Sequence, residues 1–223
     1  METSIPIVQN QETKYVADPA TALTRARYQR IAPFYDRVIA MMGQRVQAWR
    51  RMQWQLVKGA RVLEVGVGTG KNIEFWPADK KITAIDLTPG MLEIARQRVE
   101  QFERDDDLRL GDVQSLEFAS GTFDTVVATF LFCSVPDPVL GLREAGRVLR
   151  PGGQVLLLEH VRIDQPVIGT IMDLLAPLLV RFDGANINRR TVENVVKAGL
   201  HIERVEDLDR MGMIKFIVAR TSV

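Results

Sequence analysis

The chain has 223 residues, 46% of them hydrophobic and 26% charged, with a formal net charge of +1. This length favours one decorated domain over two, and the apolar-to-charged balance excludes disordered and fibrous classes. One cysteine and two histidines exclude an internal disulfide framework and a multi-cysteine zinc site, so no metal is expected and a reducing compartment fits.

The charge is unevenly spread. From Thr24 to Arg61 nine basic residues stand against Asp36 alone, a net +8 that leaves −7 for the rest. A basic arm on an acidic body differs from the uniformly basic surface of a nucleic-acid binder, and no nucleic-acid partner is expected. It suits an anionic membrane surface instead. Met1 to Ala22 shows no apolar run after a basic start, and no 18-residue apolar stretch occurs. The expectation is a cytoplasmic protein, peripheral at the inner face of the membrane through this arm.

In chain order, the first 17 or so residues are polar and aperiodic and are assigned no structure. Apolar residues then recur at helical intervals from Ala22 to Ile31 and from Phe34 to Val57. The second stripe reads Phe34, Val38, Met42, Val46, Trp49, Met52, Leu56. Two helices split at Pro33 are predicted. Residues 1–57 are read as an arm of the same domain that covers cofactor and substrate, and residues 58–223 as the core.

After Gly59 short β-rich runs alternate with amphipathic stretches. Strands are predicted at Arg61–Val65, Ile82–Asp86, Leu108–Leu110, Phe123–Phe130, Gln154–His160, Ile202–Asp207 and Met213–Ala219. Thr88 caps and Pro89 opens one helix, Asp137 and Pro138 start a second, and a third runs from about Arg190 to Ala198 and ends at Gly199. The alternation predicts an α/β fold: a Rossmann-like, seven-stranded, mostly parallel sheet with helices on both faces and the helical arm in front. Such sheets bind ligands beyond the carboxyl ends of their strands.

The chemistry concentrates at Val62-Leu63-Glu64-Val65-Gly66-Val67-Gly68-Thr69-Gly70, a buried strand running into alternate glycines that let a ligand approach the backbone. A dinucleotide fingerprint needs Gly or Ala where Lys71 stands. A phosphate-binding P-loop needs Gly at 65 and Ser or Thr at 72, where Val65 and Asn72 stand. Both of those readings fail on residues.

The pattern E-x-G-x-G-x-G resembles the first motif of class I S-adenosylmethionine-dependent methyltransferases. The resemblance extends to Asp86 at the end of the second strand, to Gly111-Asp112-Val113, to Phe123-Asp124-Thr125-Val126-Val127 and to Leu149-Arg150-Pro151-Gly152-Gly153. It implies S-adenosylmethionine as cofactor, S-adenosylhomocysteine as product, and cofactor contacts at Gly66, Gly68, Thr69 and Gly70. Asp86 then takes the ribose hydroxyls and Asp112 the adenine amino group. Glu64 is a second candidate carboxylate, with a strand-end residue bonding the loop as the alternative. Leu87, Met91 and Val113 are candidate adenine walls or ordinary core.

Within that superfamily the chain resembles three groups: quinone C-methyltransferases, bacterial phospholipid N-methyltransferases and methyltransferase-like thiol methyltransferases. The matching stretches are Tyr28-x-x-Ile-Ala-Pro-Phe-Tyr35-Asp36, Cys133-Ser134-Val135-Pro136-Asp137-Pro138 and Leu158-Glu159-His160. The resemblance gives one of Tyr28 and Tyr35 the methionine carboxylate, with Tyr28 also a candidate catalytic group and Tyr35 a cofactor contact, and gives Thr129 a cofactor contact. Quinone enzymes carry an Arg-Asn pair where this chain has Cys133-Ser134, which puts quinone C-methylation in doubt.

His160 is read as a proton acceptor or as a structural histidine. The apolar segment Pro166 to Val180, broken by Asp173 and Pro177, is too short to span a bilayer and is read as a pocket cap or an interfacial element. With the arm and its Trp49 and Trp54, it points to a lipid or small lipophilic acceptor. Phosphatidylethanolamine-type N-methylation stands first. S- or O-methylation of a small thiol or hydroxyl compound, and an inactive cofactor-binding scaffold, stand behind it. Asn186, Asn188, Arg189 and Arg190 are read as a headgroup site or as a cap with solvated arginines.

Overall fold

The computed structural model describes residues 18–40, 44–183 and 186–221. Its elements are α1 (Pro19–Ala40), α2 (Gln44–Gln55), β1 (Arg61–Val65), β2 (Lys81–Asp86), α3 (Pro89–Gln101), β3 (Asp107–Leu110), β4 (Phe123–Thr129), α4 (Pro138–Val148), β5 (Leu149–His160), α5 (Pro166–Asp183), α6 (Thr191–Lys197), β6 (Leu200–Asp207) and β7 (Ile214–Thr221).

The strands form one sheet in the order β3-β2-β1-β4-β5-β7-β6. β1 runs parallel to β2 and β4, and β5 parallel to β4, whereas β7 runs antiparallel between β5 and β6. Because β2 and β3 lie on one side of β1 and β4 and β5 on the other, the chain reverses its direction of travel between β1 and β4. The crevice at that switch, beyond the strands' carboxyl ends, is where such sheets place ligands.

Alternation along the strands builds two apolar layers. Leu63, Val65, Val126, Ala128 and Leu157 pack with Leu142, Ala145 and Val148 of α4 and Val195 of α6. Val62, Ile82, Val127, Leu156 and Phe216 pack with Trp54 of α2 and Leu92, Ala95 and Val99 of α3. Each layer excludes water from its face of the sheet, which is the dominant favourable term in holding such a fold.

Several local expectations change. Pro33 does not split the arm: α1 runs through it to Ala40, with the proline on the exposed face. Proline removes one backbone donor, and on the outer face of a helix that loss falls among solvated groups. In α2 the buried positions are Val46, Arg50, Gln53 and Trp54. Trp49 and Met52 are half-buried, so the inward face is turned from the predicted stripe and is partly polar. Met42 and the side chain of Val38 lie outside the described residues. Trp54, 1% exposed, is core and offers no membrane contact. Thr88 sits at the N-cap of α3 without a side-chain cap bond, whereas Asp137 caps α4 by accepting from the Leu140 amide at 2.9 Å.

Candidate active site

An open cleft lies at the β1/β4 switch, beyond the carboxyl ends of the strands. One side is built by the loops after β1, β2 and β3. Gly66 and Gly68 bring backbone to the surface there, beside Asp86, Leu87 and Met91. Asp112 and Val113 complete this side. The other side is built by Thr24, Tyr28 and Tyr35 of α1, by Thr129 at the end of β4, and by Phe130, Leu131, Ser134, Val135 and Pro136 after it.

Asp86 organises the first side. One carboxylate oxygen accepts from the Gly68 amide at 2.9 Å and the other from the Thr88 amide at 2.8 Å. Burial raises its pKa, partly offset by those two amides. Each oxygen retains acceptor capacity for a ligand hydroxyl. Gly68 has φ +57, and a Cβ there would meet no protein atom, so the cleft opens directly over backbone. Asp112 is braced by Gln114, whose amide nitrogen donates to it at 2.9 Å, and the Gln114 side chain continues to Thr21 at 3.0 Å and accepts from the Asp137 amide at 2.8 Å. Two carboxylates, bare glycine backbone and the apolar Leu87, Met91 and Val113 form a donor set for a nucleoside with no phosphate: acceptors for hydroxyl and amino groups, and no clamp of positive charge. S-adenosylmethionine fits this chemistry.

α1 is clasped onto the glycine loop through its one acidic residue. Asp36 accepts from the Thr69 hydroxyl at 2.7 Å and from Arg98 of α3, with Lys71 at 3.4 Å. Burial alone would raise the Asp36 pKa, but the Arg98 and Thr69 hydrogen bonds and the Arg98 and Lys71 charges hold it below the usual carboxylate value. Across the cleft the Tyr28 hydroxyl meets Ser134 Oγ at 2.5 Å, and the Tyr28 and Tyr35 rings stand 6.4 Å apart. Burial pushes Tyr35 up to about 12, which keeps its phenol protonated at neutral pH.

Four of the residues read from the sequence lie off the wall. Glu64, 1% exposed, takes Asn72 Nδ2 at 2.6 Å and Trp76 Nε1 at 2.7 Å, one on each oxygen. It braces the loop from behind, with side chains as partners. Thr69 serves the Asp36 clasp. Gly70 is required by packing, since a Cβ would fall 2.4 Å from Ile73 Cδ1 and 3.2 Å from Ala95 Cα. His160, opposite Ile214 on β7, is not among the lining residues. The four polar residues after α5 each have partners within the protein. Asn186 and Arg189 bond carbonyls of residues 133 and 135, Asn188 bonds Asp173, and Arg190 pairs with Glu193.

A buried polar chain behind the cleft escaped the sequence reading. Arg50 donates to Asn72 at 2.7 Å and lies over the Phe130 ring. Asn72 also donates to Thr129 Oγ1 at 3.0 Å, and Thr129 donates to Gln53 at 2.7 Å. Gln53, 0% exposed, donates to the Ala128 and Leu156 carbonyls at 2.9 and 3.1 Å, tying α2 to β4 and β5. The signal was present as polar residues at inward helical positions, which a rule that turns polar groups outward discards.

Fold and cleft together define a Rossmann-like nucleoside-cofactor enzyme. The methyltransferase domain family matches residues 63–157. The chain is 33% identical over 170 residues to a demethylmenaquinone methyltransferase of Renibacterium salmoninarum, covering 74% of this chain and 68% of that protein. It is 40% identical over 121 residues to a phosphatidylethanolamine N-methyltransferase of Cereibacter sphaeroides, covering 53% and 60%. Against a thiol S-methyltransferase of Homo sapiens it is 35% identical over 150 residues, covering 61% and 58%. The chain thus spans about 60% of the length of these last two relatives. A geranyl diphosphate methyltransferase solved with S-adenosylmethionine shares the fold at TM-score 0.64 and 16% identity, covering 78% of this chain and 85% of that one. The chain belongs to the class I S-adenosylmethionine-dependent methyltransferases, and S-adenosylmethionine is its cofactor.

Proposed function

We propose that the protein methylates an amphiphilic acceptor at a membrane surface, with N-methylation of a phosphatidylethanolamine-type amine as the reaction. One observation carries the reading: the two faces of α1. Its inner face supplies Thr24, Tyr28 and Tyr35 to the cleft. Its outer face exposes Leu23, Ala26, Arg30, Pro33, Phe34 and Arg37 at helical spacing, with no carboxylate among them. Apolar residues interleaved with arginine suit the boundary between acyl chains and anionic headgroups. A helix lying in that boundary would set the cleft at the height of the headgroups.

Bound S-adenosylmethionine supplies an electrophilic methyl carbon on a sulfonium. The protein supplies position: Asp86 and Asp112 would hold the nucleoside, and Phe130, Leu131, Val135 and Pro136 offer the acceptor an apolar approach. The faces of Tyr28 and Tyr35 favour a cation over them, as a methylated ammonium is. The Tyr28–Ser134 hydroxyl pair offers a hydrogen-bond acceptor that would orient the amine N–H, and the proton released would pass to solvent water at the cleft mouth.

The test is incubation with methyl-labelled cofactor and vesicles of phosphatidylethanolamine and phosphatidylglycerol. Labelled lipid is expected, with less label for Phe34→Ser at unchanged S-adenosylhomocysteine affinity. Label appearing only in a small thiol or hydroxyl compound would overturn the reading. That second reading has its own support in the absence of any lysine or arginine from the described cleft wall, so that no cation there answers a lipid phosphate.

A further inference from the structure

The segment after β4 forms the acceptor side of the cleft, and beside its one backbone turn bond, from the Ser134 amide to the Leu131 carbonyl at 2.9 Å, it is held from outside. It opens at Phe130, a non-glycine residue with φ 54, a left-handed conformation that persists where the surroundings impose it. Two groups outside the cleft provide that support. Glu159 of β5, 0% exposed, accepts from the Leu131 amide at 3.0 Å and the Phe132 amide at 3.1 Å with a single oxygen, Oε1. Arg189, after α5, donates to the Val135 carbonyl at 2.9 Å and the Cys133 carbonyl at 3.3 Å. Asn186 adds its amide to the Cys133 carbonyl at 2.8 Å.

We infer that Glu159 and Arg189 are positioning residues that fix the acceptor wall from behind, Glu159 by taking its amides and Arg189 by taking its carbonyls. The inference rests on the methyl-transfer reading for the word acceptor, but the bracing itself does not. Every contact is to backbone, so the brace is indifferent to which side chains the wall presents. Glu159 acts here as an oxygen acceptor more than as a charge. Its second oxygen, Oε2, is buried without a partner. Burial, partly offset by those two amides, pushes its carboxyl up to about 7, so the group shares its population between protonated and ionised forms at neutral pH, and Oε1 accepts in either.

Cys133, the sole cysteine, sits behind this wall at 7% exposure, between the lining residues Leu131 and Ser134, and reports on its opening. The experiment measures Cys133 labelling by a disulfide reagent, S-adenosylhomocysteine affinity by calorimetry, and KM for acceptor and cofactor. The full chain is used with Glu159→Met, Glu159→Gln and Arg189→Met. Glu159→Met and Arg189→Met should each label about tenfold faster or more, the order expected when buried donors or acceptors lose their partner. For Arg189→Met, whose partners are the carbonyls of 133 and 135 and not Leu131 beside Gly66, S-adenosylhomocysteine affinity should stay within about threefold, and KM should rise for the acceptor and not for the cofactor. Glu159→Gln, which keeps the accepting oxygen, should behave as wild type. Unchanged labelling in both methionine variants, or loss of nucleoside affinity in step with faster labelling in Arg189→Met, would overturn the inference. If the labelling pattern holds while wild type methylates no lipid, the bracing stands and the lipid reading falls.

Discussion

Replacing Asp86 with asparagine tests how the cleft recognises its cofactor. The carboxylate takes one backbone amide on each oxygen, at 2.9 Å from Gly68 and 2.8 Å from Thr88. Asparagine turns one oxygen into an NH2 that faces an N–H donor, leaving a buried amide unpaired at a cost of about 1–3 kcal/mol. The charge-assisted bonds to ligand hydroxyls weaken to neutral ones, a further loss of about 1 kcal/mol or more. The unpaired amide is present with and without ligand and counts against stability, so S-adenosylhomocysteine affinity should fall by the weakened ligand bonds alone, about 1–2 kcal/mol or roughly 5- to 30-fold. Removing a charge that is 9% exposed and whose burial raises its pKa returns part of the desolvation penalty, so the melting temperature should change little. Calorimetric titration and thermal denaturation on the same samples separate the two effects. Affinity within threefold of wild type, or a fall in melting temperature large enough to account for the lost binding, would refute the assignment.

Asp36→Asn should loosen the arm. The clasp loses its charge opposite Arg98 and Lys71, worth about 1–2 kcal/mol once the 32% exposure of the Asp36 side chain is allowed for. Trypsin cleavage at the arginines of α1 should then accelerate about 5- to 30-fold, and an unchanged cleavage rate would dispose of the clasp. A pH effect is expected behind the cleft. Burial pushes Glu64 from 4.5 to about 7, so the native state keeps a proton there that the unfolded chain releases. The stability linked to that proton is fully present below about pH 4.5 and is lost as pH rises through 7, roughly 3 kcal/mol in all. Denaturant midpoints between pH 5 and 8 should fall for wild type and fall less for Glu64→Gln, and a flat wild-type profile would contradict the shift.

The strands were legible because β-branched runs between Gly, Pro and Asp punctuation leave little alternative: all seven appear, most within two residues of their predicted ends. Insertion of antiparallel β7 between β5 and β6 was not legible, since pairing of distant strands depends on which faces remain uncovered once the parallel core has formed. In the cleft, Gly66, Gly68, Asp86 and Asp112 were legible through spacing along one continuous stretch. The bracing groups were not. Arg50 and Gln53 occupy inward positions of α2, and Glu159 and Arg189 act on a segment more than 25 residues away, where spacing carries no message. Pro33 and Trp54 misled for a related reason: a residue's usual habit is overruled when the fold places it on an outer helix face or in the core.

Gly66 touches the far side of the cleft, since a Cβ there would fall 2.6 Å from Leu131 Cδ1. Position 131 is thereby committed to the cofactor loop as well as to the acceptor wall. A change of substrate range through its side chain would exact a toll on cofactor binding, whereas Val135 and Pro136 can vary without reaching the glycines or the Tyr28–Ser134 pair. Diversification among such enzymes, whether by natural drift or by directed evolution, should run through those two positions first and leave Leu131 as the fixed point about which new acceptors are accommodated.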